Sequence, residues 1–347
     1  MKKIGLFLTL AAALQMTAGV AFAQGQDLAM QAYKLRMNGD PHAALAFLDS
    51  ALLAHPDEAR IWFEKGRCME WIKTEGCRKF TDSWKYLAPR LKVSRRCFNR
   101  AIHLDPDNSR YHYWASENAA LRGMVGFYSP WKWPAVPFIM RRSVKEAATA
   151  VRLNPENLDY RYALVNYSRF GTLFGGSKKL ALAHADILES LDPVYGAMAF
   201  EELGSKKHPY DAFSRYLELE PKYPEHLKLL YQLAVYYAGK DSTFTDKALY
   251  YFKKILEIDP GNSPALTQLY REMPKDRKDE ALPFIQAYLG HVDSGYNYYK
   301  SMGQNLLGQY YQQKRNVDKA KVCFAEAGRL NPNSNGTSSI DLDPPAK

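Results

Sequence analysis

Small and large apolar residues fall into paired runs along most of this chain, and each pair is closed by the same short polar tag. The last pair shows the pattern. Leu307, Gly308 and Tyr311 lie on one run, Ala320, Phe324 and Ala327 lie on the next, and Pro332 follows. Recurrence at spacings of three and four predicts helices. Gly308 and Ala320 let two such helices approach closely, and Phe324 fills the space beside them. The first pair carries Ala32, Leu35, Gly39, Ala44, Leu48, Ala51 and Pro56 in the same order. A third has Leu233, Ala234, Tyr237, Ala248, Phe252 and Pro260.

The closing tag recurs as AHPDE, LDPDN, LNPEN, LDPVY, LEPKY, IDPGN and LNPNS, with prolines at 56, 106, 155, 193, 221, 260 and 332. Proline suits the position just past a helix, where no intrahelical N–H is needed, and it restrains the residue before it. Internal periods of this size mean stacked supersecondary units. The small/large pattern with its terminal proline resembles the tetratricopeptide repeat, a helix–turn–helix of about 34 residues. The resemblance covers roughly residues 25–334 and implies an all-α fold, with repeats stacked in a right-handed superhelical solenoid. About eight helix pairs are expected across 24–334, with insertions near 73–93, 123–138 and 171–177. The tail, 335–347, is polar with terminal prolines and has the composition of a disordered segment.

The N-terminus reads as a leader. Lys2 and Lys3 precede an apolar stretch, and Ala21–Phe22–Ala23 forms a small-residue cleavage site before Gln24. The expectation is a signal peptide over 1–23 and export to a bacterial periplasm. The full chain carries a net charge of +10, which falls by two with the leader, and its surface should favour acidic partners. Four cysteines, at 68, 77, 97 and 323, would meet an oxidising compartment. Their three full pairings stay open, with a Cys68–Cys77 bridge among them.

One stretch invites a chemical reading. GTLFGGSKK, residues 171–179, approaches the phosphate-binding G-x-x-x-x-G-K-[ST] loop. Ser177 stands where the lysine belongs and Lys178 where the hydroxyl belongs, and no strand precedes it. It reads better as the turn inside the fourth pair, with Gly175 and Gly176 supplying unusual backbone angles and Ser177 capping the next helix. Histidines and carboxylates show no metal-ligand or triad spacing, and no cofactor or catalytic residue is assigned. The expectation is a non-enzymatic protein.

The resemblance also implies a binding surface, because first helices of such pairs line the concave face. Carrying the groove positions onto this chain selects Tyr33, Arg36, Arg60, Phe63, Arg67, Trp71, Arg110, Tyr113 and Glu117, then Tyr162, Asn166 and Arg169. Aromatic and Arg side chains anchor interfaces, and Arg reads carboxylates by paired hydrogen bonds. A protein or peptide of acidic character is the expected partner. The Lys/Asn clamp of chaperone-tail binders is not reproduced. A basic block from Arg78 to Arg100 holds eight Lys or Arg against Asp82 alone, which suits an anionic lipid surface or an acidic partner. It lacks a nucleic-acid-binding motif, so no nucleic acid is expected. Trp131 and Trp133 form a secondary contact patch, expected to tuck against the preceding pair, with Pro130, Pro134 and Pro137 arguing against an interfacial helix in the loop itself. The competing class of function is a small-ligand-binding accessory protein of an envelope or transport system, its pocket closed by the insertions.

Overall fold

In a computed structural model the described residues are 27–72, 83–128, 130–204, 211–239, 245–292 and 296–331. The leader, Cys77, the first part of the insertion at 73–93 and the tail at 335–347 lie outside them. Sixteen α-helices and no strand occur among the described residues. The first, α1, spans residues 27–37. It is followed by α2 (Pro41–Ala54), α3 (Ala59–Trp71), α4 (Ser83–Leu104), α5 (Ser109–Phe127) and α6 (Val136–Leu153). Then come α7 (Leu158–Ser168), α8 (Lys178–Leu191), α9 (Pro193–Leu203), α10 (Ala212–Leu219), α11 (Leu227–Ala238) and α12 (Thr245–Ile258). The series ends with α13 (Ser263–Glu272), α14 (Leu282–His291), α15 (Asn297–Gln313) and α16 (Val317–Leu330). Consecutive helices pack in pairs, α3 on α4 and α15 on α16 most extensively after α5 on α6.

The proline tag both stops one helix and starts the next. Asn157 and Asn262, two residues past their prolines, sit at the N-caps of α7 and α13. Their side chains accept from Tyr160 N at 3.0 Å and Ala265 N at 3.1 Å. Asp192 ends α8 and caps α9, accepting from Val194 N at 2.8 Å. Each such cap satisfies a backbone donor that a helix start leaves orphaned. A second clip recurs in three units. The side chain six residues past the tag proline donates to its carbonyl, from Trp62 to Pro56 at 2.8 Å and from Arg161 to Pro155 at 2.7 Å, while His112 meets Pro106 at 2.9 Å.

Two compact units divide the chain: residues 1–36 with 40–153, and 37–39 with 154–347. In the first, Ala32, Ala44, Leu48 and Ile61 make one core, while Phe63, Phe98, Ala101, Tyr111 and Ala115 make the next. In the second, one continuous core runs from Val194 to Tyr310. Inside pairs the glycine positions set the approach. A Cβ on Gly66 would stand 2.6 Å from Phe98 Cε1, and one on Gly308 would stand 2.6 Å from Phe324 Cε1.

Three expectations change. Residues 83–93 belong to α4, and 123–127 are the last turn of α5. The rest of the second insertion is also ordered as helix: Pro130–Ala135 forms a 3-10 helix and α6 begins at Val136. Pro137 sits in the first turn of α6, where its missing N–H costs nothing. Cys68, Cys97 and Cys323 are buried free thiols, so Cys68 forms no bridge. Burial, then the Glu64 charge, pushes the Cys68 thiol up to about 12. In the GTLFGGSKK turn the left-handed residues are Gly171 (φ 88°) and Gly175 (φ 87°). Gly176 is needed for space instead, since its Cβ would lie 2.4 Å from Ser168 Cα. Ser177 caps α8, accepting from Leu180 N at 3.1 Å.

These contacts predict opposite signs for one substitution type. Gly66→Ala should destabilise the chain by roughly 1 kcal/mol, because overpacking outweighs the helix-propensity gain. Gly328→Ala on α16, where an added Cβ meets nothing within 4 Å, should stabilise it by up to about 1 kcal/mol. Urea unfolding of both variants distinguishes the two.

Candidate functional site

Helices α1, α3 and α5 bring most of the expected groove residues of the first unit together as alternating guanidinium and aromatic groups. Arg36 lies with its guanidinium 5.1 Å from the Tyr33 ring centroid and 5.0 Å from that of Trp71. On α3 the Arg67 guanidinium lies over Trp114 at 3.1 Å, and Arg110 of α5 lies over Phe63 at 4.9 Å. Tyr113 meets Trp114 edge-on at 5.4 Å. The recurrence of Arg and aromatic residues at turn spacing on first helices produces this layer, since residues three and four apart share a face.

Two expected contact residues are interior. Arg36 is 3% exposed, and its Nε donates to Glu64 Oε1 at 2.7 Å. Burial alone lowers the Arg36 pKa, but the Glu64 charge and hydrogen bond outweigh it and hold the group charged. Phe63 is buried in the core, stacked on Tyr111 at 4.8 Å with Phe98 at 5.7 Å. Both stabilise the first unit and offer little surface to a partner. Their helical register is that of the groove, but α3 covers Arg36, and α4 and α5 cover Phe63.

Arg67 is placed differently. Its side chain is 11% exposed, and its nearest carboxylate, Glu70 Oε2, lies at 3.5 Å. That is beyond a good hydrogen bond. Glu70 is itself engaged through Oε1, which accepts from Asn118 Nδ2 at 3.0 Å and Ser94 Oγ at 3.3 Å. Burial lowers the Arg67 pKa to about 10, with Glu70 opposing and Arg36 adding to the shift. Arg60 is half-buried, and Arg110 is exposed. Trp114, Glu64 and Glu70 escaped the sequence reading. Trp114 stands one residue off the register of Tyr113. Both acids lie a turn from an expected groove arginine on α3, which was the available signal.

The remaining groove residues belong to the second unit. Tyr162 packs on Tyr195 with centroids 6.2 Å apart, and burial pushes its hydroxyl to about 12. Asn166 has a buried Oδ1 without a hydrogen-bond partner. Arg169 pairs with the Glu202 carboxylate and donates to its carbonyl at 3.0 Å. Arg169, Phe170, Lys178, Glu202, Leu203 and Gly204 line an open cleft of about 360 Å³.

Trp131 and Trp133 do not tuck inward. They are 82% and 56% exposed, and Trp133 Nε1 donates to the Phe127 carbonyl at 2.9 Å. That bond satisfies a carbonyl at the end of α5 and holds the indole outside the pair.

A buried His–carboxylate pair does occur. His112 Nδ1 lies 2.7 Å from Glu146 Oε2, and Nε2 lies 2.9 Å from the Pro106 carbonyl. With both ring nitrogens facing acceptors, the imidazole is best satisfied as the cation, which leaves no lone pair for proton abstraction. Burial pulls its pKa down, but the Glu146 and Pro106 bonds outweigh it and the net direction is up. For Glu146, burial raises the pKa and the bond to His112, then Arg142, brings it below its ordinary value. This is a structural tie between α5 and α6. Among the described residues no group of three or more His, Cys, Asp or Glu side chains is placed to hold a metal ion.

No protein-family model matches the chain, and no curated protein matches it in sequence. Among solved structures it is similar to YrrB, described as a TPR protein with an unusual peptide-binding site, at 15% identity and TM-score 0.31 over 83% of this chain and 94% of that one. Yeast Tom70 matches at 14% and 0.39 over 88% and 78%, and the human IFIT1 dimer with PPP-AAAA at 16% and 0.40 over 86% and 75%. The fold assignment rests on the chain's own geometry: helix pairs in series, glycine-to-ring contacts inside pairs, and proline tags between them. The fold is of tetratricopeptide type. Stacked helix pairs of this kind present an extended surface.

The His112–Glu146 tie has a pH signature. Between pH 4.5 and 6.5, the ordinary values of the two groups, both contributions are fully present. The His112 share is lost as pH rises through its raised pKa, and the Glu146 share as pH falls through its lowered one. His112→Gln should therefore cost most stability in that window and progressively less toward alkaline pH. A difference from the native chain that stays constant with pH in urea unfolding would remove the tie.

Proposed function

We propose that the chain is an exported, non-enzymatic scaffold that holds an acidic protein segment against the arginine and aromatic layer of its first unit. One observation carries this reading. Arg67 is stacked on Trp114 and has no carboxylate within good hydrogen-bond distance, while Arg110 is exposed above Phe63. Stacking fixes the guanidinium planes before a ligand arrives, so little side-chain entropy remains to be lost on binding. Carboxylates of Asp, Glu or a chain terminus are the groups such planes recognise in pairs. The chain's net positive charge, +10 in full and two less without the leader, favours encounter with acidic partners. A closed ligand pocket behind the second insertion, the competing class of function, would need Trp131 and Trp133 turned inward, whereas both face solvent.

The test uses a fluorescent peptide rich in Asp and Glu titrated onto the chain. Arg67→Glu with Arg110→Glu should weaken it at least about tenfold, as two charge-assisted contacts are lost, and helix content should stay unchanged. Unchanged affinity would remove the surface assignment. Export is checked separately: N-terminal sequencing of the protein from a periplasmic fraction should begin at Gln24, and retention of Met1 in the cytoplasm would reject it.

A further inference from the structure

Away from the groove layer, the first unit carries a second concentration of positive charge. Helix α4 holds six Lys or Arg and no carboxylate, and the segment from Pro130 through α6 holds five against Glu146 alone. A hydrogen bond links the two helices, from Arg142 of α6 to Asn99 of α4. Arg95 lies one turn from Asn99 on α4. Arg122 comes from α5, between residues that pack on α4 (Val125 against Leu87 and Leu91) and residues that pack on α6 (Gly123 against Met140, Gly126 against Val136). Arg95 and Arg142 are its charged neighbours.

Three half-buried guanidinium groups thus lie near one another where three helices converge, and among the described residues neutralising charge is short. Arg142 reaches Glu146 at 3.5 Å, but that carboxylate is held by His112 at 2.7 Å. Arg95 has its Nε buried without a hydrogen-bond partner. Among the described residues the charged neighbours of Arg122 are arginines, and after burial they help lower its pKa to about 10. Burying like charges beside one another is unfavourable unless an anion joins them. Arginine forks suit the oxygens of a phosphate.

The apolar surroundings say what kind of phosphate. Phe138 lies one turn before Arg142 on α6, about 6 Å along the axis, and is 70% exposed. Arg141 lies beside its ring at 5.7 Å. Trp131, Trp133 and Phe127 continue this exposed set at the loop end of α5 and α6. A contiguous exposed apolar patch marks a contact surface. Tryptophan at the tip with basic side chains a turn behind is the order of a membrane interface, where rings sit among headgroups and cations meet phosphates.

We propose that this face docks on an anionic phospholipid bilayer, with the Trp131–Phe138 segment entering the headgroup region and a lipid phosphate seated among Arg95, Arg122 and Arg142. The charge of α4 and α6 complements such a surface, and the site is separate from the groove layer.

The test is co-flotation of the chain lacking residues 1–23, whose apolar leader would itself bind lipid, with phosphatidylcholine vesicles containing about 30% phosphatidylglycerol. The chain should float with these vesicles and not with pure phosphatidylcholine. Trp131→Ser with Phe138→Ser should weaken binding at least about tenfold, and Arg122→Gln about fivefold, with circular dichroism unchanged. Arg67→Glu with Arg110→Glu should leave most of the vesicle binding, so failure of the peptide reading and failure of this one are told apart. Equal binding to neutral vesicles, no binding, or binding untouched by the Trp131, Phe138 and Arg122 changes would overturn the proposal. Saturable binding of inorganic phosphate without vesicle binding would assign the arginines to a soluble ligand and overturn it too. So would displacement from vesicles by an oligonucleotide at concentrations where acidic peptide has no effect.

Discussion

Glycine facing a phenyl ring sets how closely the paired helices can lie. Where Gly66 meets Phe98 and Gly308 meets Phe324, the first helix presents no side chain and the ring of the second fills the gap. Close approach of this kind buries the apolar faces that neither helix could cover alone. The same contact occurs in the second and last pairs, on either side of several less regular ones. The proline tags do the complementary work between pairs. They end one helix, place an Asn or Asp to cap the next, and offer a carbonyl that Trp62, His112 and Arg161 tie down from one turn further on. Spacing within pairs and continuity between them thus come from a few local contacts repeated along the chain.

Arginine takes three distinct roles on this scaffold. Arg36 is buried against Glu64 and acts as an internal strut. Arg67 and Arg110 lie over aromatic rings. Arg95, Arg122 and Arg142 crowd together with one shared carboxylate nearby. These roles follow from whether a carboxylate lies across the helix interface, and residue type alone does not distinguish them. Binding capacity therefore concentrates where the array leaves guanidinium groups without a carboxylate at good hydrogen-bond distance. The first unit has two such places, on different helix faces.

The repeat was legible because its signals are local. Gly308, Ala320 and Phe324 are spaced by helical turns, and each tag proline acts on its immediate neighbours. The turn nature of GTLFGGSKK was readable for the same reason, and Ser177 caps α8 as its position suggests. What escaped was the assignment of glycines inside that turn. Gly171 takes a positive φ alongside Gly175, and Gly176 is instead required for space by Ser168 across the turn, a contact between residues eight apart. The groove register drew Arg36 and Phe63 together with Arg67 because all share a helical face. Depth beneath neighbouring helices is a property of the assembled stack and has no signature in spacing.

By itself the sequence determined the helix pairs, their proline punctuation and the small-to-large packing inside them, because each depends on residues within a few turns of one another. Only the tertiary structure decided which arginines are neutralised, that Trp131 and Trp133 face solvent, and that His112 is tied off between Glu146 and Pro106. Those outcomes depend on which side chains from separate helices come within a few ångströms. Partners 28 residues apart, such as Arg36 and Glu64, or 34 apart, such as His112 and Glu146, become neighbours only when the helices stack.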